Sequence, residues 1–174
     1  MVKDDQEYRE ELGTVLAKSD PSAPSPELIA VVEKVGKLDT ANTEKLKEIL
    51  NACSWPTEAE ASHDAWLLTQ HADKDLAFQK KALPQLKLAI EKGSASAKDY
   101  AYLADRVAIA EGKQQLYGTQ FDQPAPCTLV MKPVDSLEAV ELRRHELRME
   151  TLKEYEASER QMLVRQGCQS AVIR

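Results

Sequence analysis

Ser96-Ala-Lys-Asp-Tyr-Ala-Tyr-Leu-Ala-Asp-Arg-Val-Ala-Ile-Ala-Glu111 decides the fold class. Tyr100, Leu103, Val107 and Ala110 recur at the three-to-four-residue spacing of one helix face, and Gly112 is a natural stop. The same period recurs on either side. Leu28, Ile29, Val32 and Val35 follow Ser25-Pro26, a cap with proline at the first helical position, and Gly36 reads as that helix's end. Asp39 or Thr40 opens another helix with Leu46, Ile49 and Leu50 inward, ending before Trp55-Pro56. Thr57 to Gln70 is helical again. A run through Phe78, Ala82, Leu83, Leu86 and Ile90 starts at Asp73 or Asp75, with a kink or a late start expected at Pro84.

After Gly112 the pattern changes. Gly118, Pro124, Pro126 and the short apolar run Thr128–Met131 give a loop or short extended segment around 114–132. Helical spacing then returns from Pro133 through Tyr155. The expected fold is therefore mainly α: a compact multi-helix single domain. Along the chain the divisions are an N-terminal helical arm (1–19), a proline-rich hinge (20–26), a helical core domain (27–157) and a weakly patterned, loose C-terminal tail (158–174).

The 174 residues suffice for one domain with a real core. A net charge of −6 argues against a nucleic-acid surface, which needs excess Lys and Arg to meet phosphates. No apolar run approaches the roughly 20 residues of a membrane-spanning helix, and 1–11 is too charged for a signal peptide. Cys53, Cys127 and Cys168 are odd in number, widely spaced and without nearby histidine. They read as free thiols in a cytoplasmic protein, with Cys127 the best placed for a nucleophile. Nothing in the pattern sets an oligomeric state or names a cofactor.

Two polar clusters stand out because charged and amide groups are costly to bury unpaired. The first is Gln70-His71-Ala72-Asp73-Lys74-Asp75 with Gln79. On one continuous helix, His71, Asp75 and Gln79 would share a face. His71 would then be a general acid/base oriented by Asp73, Asp75 or Asp105, or would share a divalent metal with Asp75 and Asp105. The plainer alternative is that Asp73 or Asp75 caps the following helix, worth about 1 kcal/mol. The second cluster, Gln115-Leu-Tyr117-Gly118-Thr119-Gln120, puts three hydrogen-bonding side chains on a glycine-bearing loop, a pattern suited to reading a small polar molecule or to tying the loop down. Gln79, Arg106, Gln115, Tyr117, Thr119, Gln120 and Arg144 complete the expected substrate-binding set. Arg106 and Arg144 serve equally well as packing or solvated-face residues.

Several motifs resemble one family. They are Trp55-Pro56-Thr57, Gln70-His71-Ala72-Asp73-x-Asp75-x-x-Phe78-Gln79, Ala101-Tyr102-Leu103-x-Asp105-Arg106-Val107 and Gly112-Lys113-x-Gln115-x-Tyr117-Gly118-Thr119-Gln120-Phe121. In this order the chain, from about Asp39 to Tyr155, resembles a microbial family known as a domain of unknown function. It departs by a shorter, glycine-free 58–63 and by Leu76 where the family often has proline. The resemblance brings no activity. The residues themselves point to a small enzyme or enzyme-like protein acting on a small polar metabolite by acid/base chemistry, through hydrolysis, elimination or isomerisation. The alternative is a non-catalytic helical interaction module whose polar clusters are structural.

Overall fold

The computed structural model describes residues 1–16, 19 and 23–174. Part of the expected hinge, 20–22, lies outside the described residues. The chain gathers into two units, Met1–Ser96 and Ala97–Arg174, where the sequence pointed to one core domain spanning 27–157.

Among the described residues the first unit holds four helices: α1 (Val2–Leu16), α2 (Pro26–Cys53), α3 (Ala59–Gln70) and α4 (Leu76–Glu91). The Ser25 hydroxyl accepts the Leu28 N–H at 3.1 Å, and Pro26 starts α2 as expected. Gly36 does not end that helix, which runs unbroken to Cys53. A mid-helix glycine costs about 1 kcal/mol. Burial of Val31 and Val35 on one side of it, and of Thr43, Leu46 and Leu50 on the other, outweighs that penalty. Ile29 and Ile49, expected inward, are substantially exposed.

The N-terminal segment is no free arm. Tyr8, Leu12 and Val15 of α1 pack on Leu28, Val31 and Val35 of α2. Asp75 caps α4, accepting the Phe78 N–H at 2.9 Å, and Pro84 neither delays nor ends that helix.

The second unit begins with α5 (Ala97–Ala110), within one residue of the expected span. A loop leads to β1 (Phe121–Ala125) and β2 (Thr128–Met131), an antiparallel hairpin pairing Phe121 with Met131. Helices α6 (Leu137–Glu146) and α7 (Leu152–Arg165) follow, the latter opened by a reciprocal Thr151–Glu154 capping box. Val140, Leu152 and Tyr155 form its core with Tyr102, Phe121 and Met131.

The C-terminal tail corrects two expectations. It is ordered: β3 (Val172–Ile173) lies parallel to β2. Cys127 and Cys168 are also joined in a disulfide, leaving Cys53 as the free cysteine. With its sulfur bonded, Cys127 is no nucleophile. The 41-residue separation carries no recognisable spacing, so only the folded chain reveals the pair.

Closing that loop restricts the unfolded chain by roughly 2–4 kcal/mol. Thiol titration of the denatured, unreduced protein should therefore find one reactive cysteine. Cys168→Ala should lower stability by about that amount in chemical denaturation.

Candidate functional site

The most polar constellation of the first unit centres on His71, which ends α3 as its C-cap. Since the chain turns between His71 and Asp75, the single helix expected to align His71, Asp75 and Gln79 does not exist. Each of the three has its own task. The Gln79 amide donates to the Thr69 and Gln70 carbonyls at 3.2 and 3.3 Å, satisfying orphan acceptors at the end of α3. It also donates to Asp73 Oδ1 at 3.3 Å. Asp75 caps α4 and accepts from Lys47 Nζ at 2.9 Å, and Lys47 and the Phe78 N–H hold its carboxyl below the ordinary range.

The partners of His71 come from α1 and α2. Nδ1 lies 3.0 Å from Asp5, whose side chain is 1% exposed, and 3.0 Å from Arg9 Nε. Arg9 Nη2 donates to Asp39 Oδ1 at 2.6 Å. One ring nitrogen cannot donate to Asp5 and accept from Arg9 at once. The ionisation of Asp5 decides. Burial would push its carboxyl up, but the hydrogen bond and charge of His71, with Gln6 and Arg9, bring it below the ordinary value. An ionised carboxylate facing a bare lone pair is repulsive, so Nδ1 carries the proton and donates to Asp5. The Arg9 Nε–H is then left to Asp5 Oδ1, 3.4 Å away. When the ring is neutral, Nε2 is its unprotonated nitrogen, and it has no hydrogen bond among the described residues.

His71 and Asp39 both line a cleft of about 420 Å³. Leu12, Val32, Val35 and Ala72 supply apolar wall, and Thr40, Thr43, Asp73 and Lys74 supply polar contacts. That size suits a small ligand. Asp39 differs from Asp5. Burial pushes its carboxyl above the ordinary range despite the opposing charge and hydrogen bond of Arg9. Its Oδ2 has no hydrogen bond among the described residues.

Donor atoms of Asp5, Asp39 and His71 all lie within 4.8 Å of one another, the spacing a metal ion would need. Arg9, bonded to Asp39 and beside His71 and Asp5, already supplies positive charge there. Of the expected His71–Asp75–Asp105 metal set, Asp75 is committed to Lys47 and its cap, and both Asp105 oxygens accept from the 116–119 loop. Asp5, Arg9 and Asp39 were missed from the sequence. The available signal was the Asp5–Arg9 spacing of four inside a charged helix, which reads equally as a solvated ion pair.

In the second unit Gln115, Thr119, Gln120 and Arg144 are engaged in hydrogen bonds around one loop. Asp105 is completely buried on α5. It accepts from the Leu116, Tyr117 and Thr119 N–H groups at 2.7–3.2 Å and from the Thr119 hydroxyl at 2.9 Å. Burial still leaves its carboxyl above the ordinary value, against the pull of those donors. Gln115 donates to the Gln120 and Lys132 carbonyls and accepts the Gln120 N–H at 2.8 Å. Arg144, 1% exposed, donates to the Tyr117 and Glu150 carbonyls and stacks its guanidinium on the Tyr155 ring. Gly118 has φ +67°, and a Cβ there would sit 3.0 Å from Leu152 Cδ1. The Gln120 side chain donates to Thr119 Oγ1, and Arg106 is half-buried on α5. This is the arrangement of a loop held by its own side chains.

Two outcomes follow. Asp105→Ala strands three N–H groups and a hydroxyl, and should cost roughly 3 kcal/mol or more by urea denaturation, whereas Gln120→Ala should cost under about 1 kcal/mol. For Asp39 the raised folded-state value means that ionisation weighs against folding. That penalty is present at neutral pH and disappears as pH falls below the unfolded value of 3.8. Asp39→Asn should accordingly melt at or above the wild type at pH 7, and the difference should shrink toward pH 3.

No curated protein and no solved structure matches the chain. A family model described as a family of unknown function matches residues 1–162, reaching well before Asp39 and so taking in α1 with Asp5 and Arg9. The match stops short of Cys168 and β3. With all but its last twelve residues inside that match, the chain belongs to the family of unknown function DUF6624.

Proposed function

We propose that the first unit carries the active site of a small-molecule enzyme, with His71 as general base. One observation carries this reading: the buried Asp5 carboxylate lies 3.0 Å from His71 Nδ1, where it can orient the ring, and the ring lies on the wall of a cleft sized for a small polar molecule. Asp5 takes the orienting role that the sequence offered to Asp73, Asp75 or Asp105. Substrate contacts pass from the Gln115–Gln120 loop to Thr40, Thr43, Asp73 and Lys74.

A second reading has support in the other unit. There Asp105 and Thr119 bond each other while Gln115 and Arg144 donate to carbonyls of the same loop, as in a structural module, and α6 leaves Leu137 and Leu142 more than half exposed. In this reading the chain is a non-catalytic helical interaction module whose polar clusters are a structural network. The net charge of −6 supports a partner other than nucleic acid. No helix among the described residues is long and apolar enough to cross a membrane. The expected cytoplasmic location loses its support from free thiols, because the Cys127–Cys168 disulfide favours an oxidising compartment.

The test is mass-spectrometric profiling of a mixture of small polar metabolites incubated with wild type, His71→Gln and Asp5→Asn. The wild type should consume at least one component. His71→Gln should slow this by about 100-fold or more, the usual worth of a positioned general base. Asp5→Asn should slow it less. A folded His71→Gln variant of undiminished activity, or a wild type that changes nothing, overturns the reading.

A further inference from the structure

His71 and Asp39 both line the cleft, and each has one side-chain atom without a hydrogen bond among the described residues, Nε2 and Oδ2. Asp5 cannot be the second reactive group. Its oxygens are taken by the His71 ring and by the Gln6 amide at 2.8 Å, it is sealed from solvent, and it is no part of the cleft lining. Asp39 is 19% exposed, lines the cleft and comes within 4.8 Å of His71. Arg9 holds only its Oδ1, so a proton on this carboxyl belongs on Oδ2.

We propose that Asp39 is the general acid that works opposite His71, making the cleft a two-group proton-transfer site. This rests on the reading of His71 as base, and it narrows the reaction class. His71 Nε2 takes a proton from one substrate atom and becomes imidazolium. The electron pair left behind moves toward a neighbouring atom, and Asp39 Oδ2 delivers a proton there, becoming carboxylate. Return of the proton from imidazolium to carboxylate through solvent resets both groups. No proton is consumed and no co-reactant is needed, so the product is an isomer. If the protonated atom is a hydroxyl oxygen, it departs as water and the step is an elimination. A ligand atom of each side chain lies within 4.8 Å of one on the other, so the exchange is between nearby atoms of one small molecule. Burial of Asp39 supports the assignment, since it favours the protonated acid. The charged groups around it are Arg9 and Asp5 from α1, His71 at the end of α3, Glu44 on α2 and Asp73, Lys74 and Asp75 on the turn.

The experiment compares Asp39→Asn and Asp39→Glu with wild type, using the substrate found by metabolite profiling. It also follows the rate at which diethyl pyrocarbonate acylates His71 in the full chain. Asp39→Asn should lower kcat by about 100-fold or more with KM little changed, remove the alkaline limb of the pH–rate profile, and leave His71 acylation unaltered. Asp39→Glu should recover part of kcat. Asp5→Asn should alter His71 acylation. If Asp39→Asn keeps wild-type kcat and both limbs, the proposal fails while His71 stands as base. If Asp39→Asn changes His71 acylation as Asp5→Asn does, Asp39 is a positioning residue and the proposal also fails. A wild type without turnover removes the base reading, and this inference with it.

Discussion

A carboxylate withdrawn from water must be given by the protein the hydrogen bonds that water supplied. Most of the organisation of this chain follows from how that demand is met at Asp5, Asp39 and Asp105. Asp105 meets it with a loop: three N–H groups and a hydroxyl turn inward onto one side chain, and the loop conformation is the price. Asp5 meets it with a ring and an amide, which pins α1 to the end of α3. Asp39 meets it only in part, through one oxygen and one guanidinium. The same residue type thus gives a loop anchor and, in the proposed reading, an orienting anion and a reactive group, and the difference lies in how many donors the surroundings provide.

Helix existence was legible in the sequence where local and long-range preferences agree. The Tyr100–Ala110 periodicity and the Ser25-Pro26 and Asp75 starts all appear where their local chemistry puts them. The changed pattern after Gly112 is the hairpin. Gly36 was misread because a penalty near 1 kcal/mol is small beside the burial on both sides of it, which is a tertiary quantity. The ordered tail and the disulfide were illegible for a similar reason. Both depend on Cys168 and Val172 meeting the β-hairpin, and no local pattern encodes that meeting.

The site was half legible. His71 stood out because a histidine followed by two aspartates is chemically loaded, but the spacing of four to Asp75 and again to Gln79 implied a continuous helix. The short turn from His71 to Asp75 destroys that face and frees His71 for partners more than 60 residues earlier in the chain. Those partners were hidden by their neighbours. In a segment as charged as Asp4-Asp5-Gln6-Glu7, nothing local marks Asp5 as the buried one. The Gln115–Gln120 loop failed in the opposite sense: its polar residues look available in sequence and are consumed in structure by Asp105 and by one another.

Gly36 shows how the cleft and the helix conflict and how the chain resolves it. It lies one turn before Asp39 on the cleft wall, and Lys74 Nζ rests 3.3 Å from where its Cβ would be. Any other residue but proline would strengthen α2 locally and place a side chain in that space. Keeping glycine leaves the helix weaker at the point where the wall must stay bare, while Val35 and Thr43 on neighbouring turns keep α2 packed. A helix held by its flanks can carry an unfavourable residue at its middle. That arrangement lets one continuous element carry Asp39 and still leave the cleft open beside it.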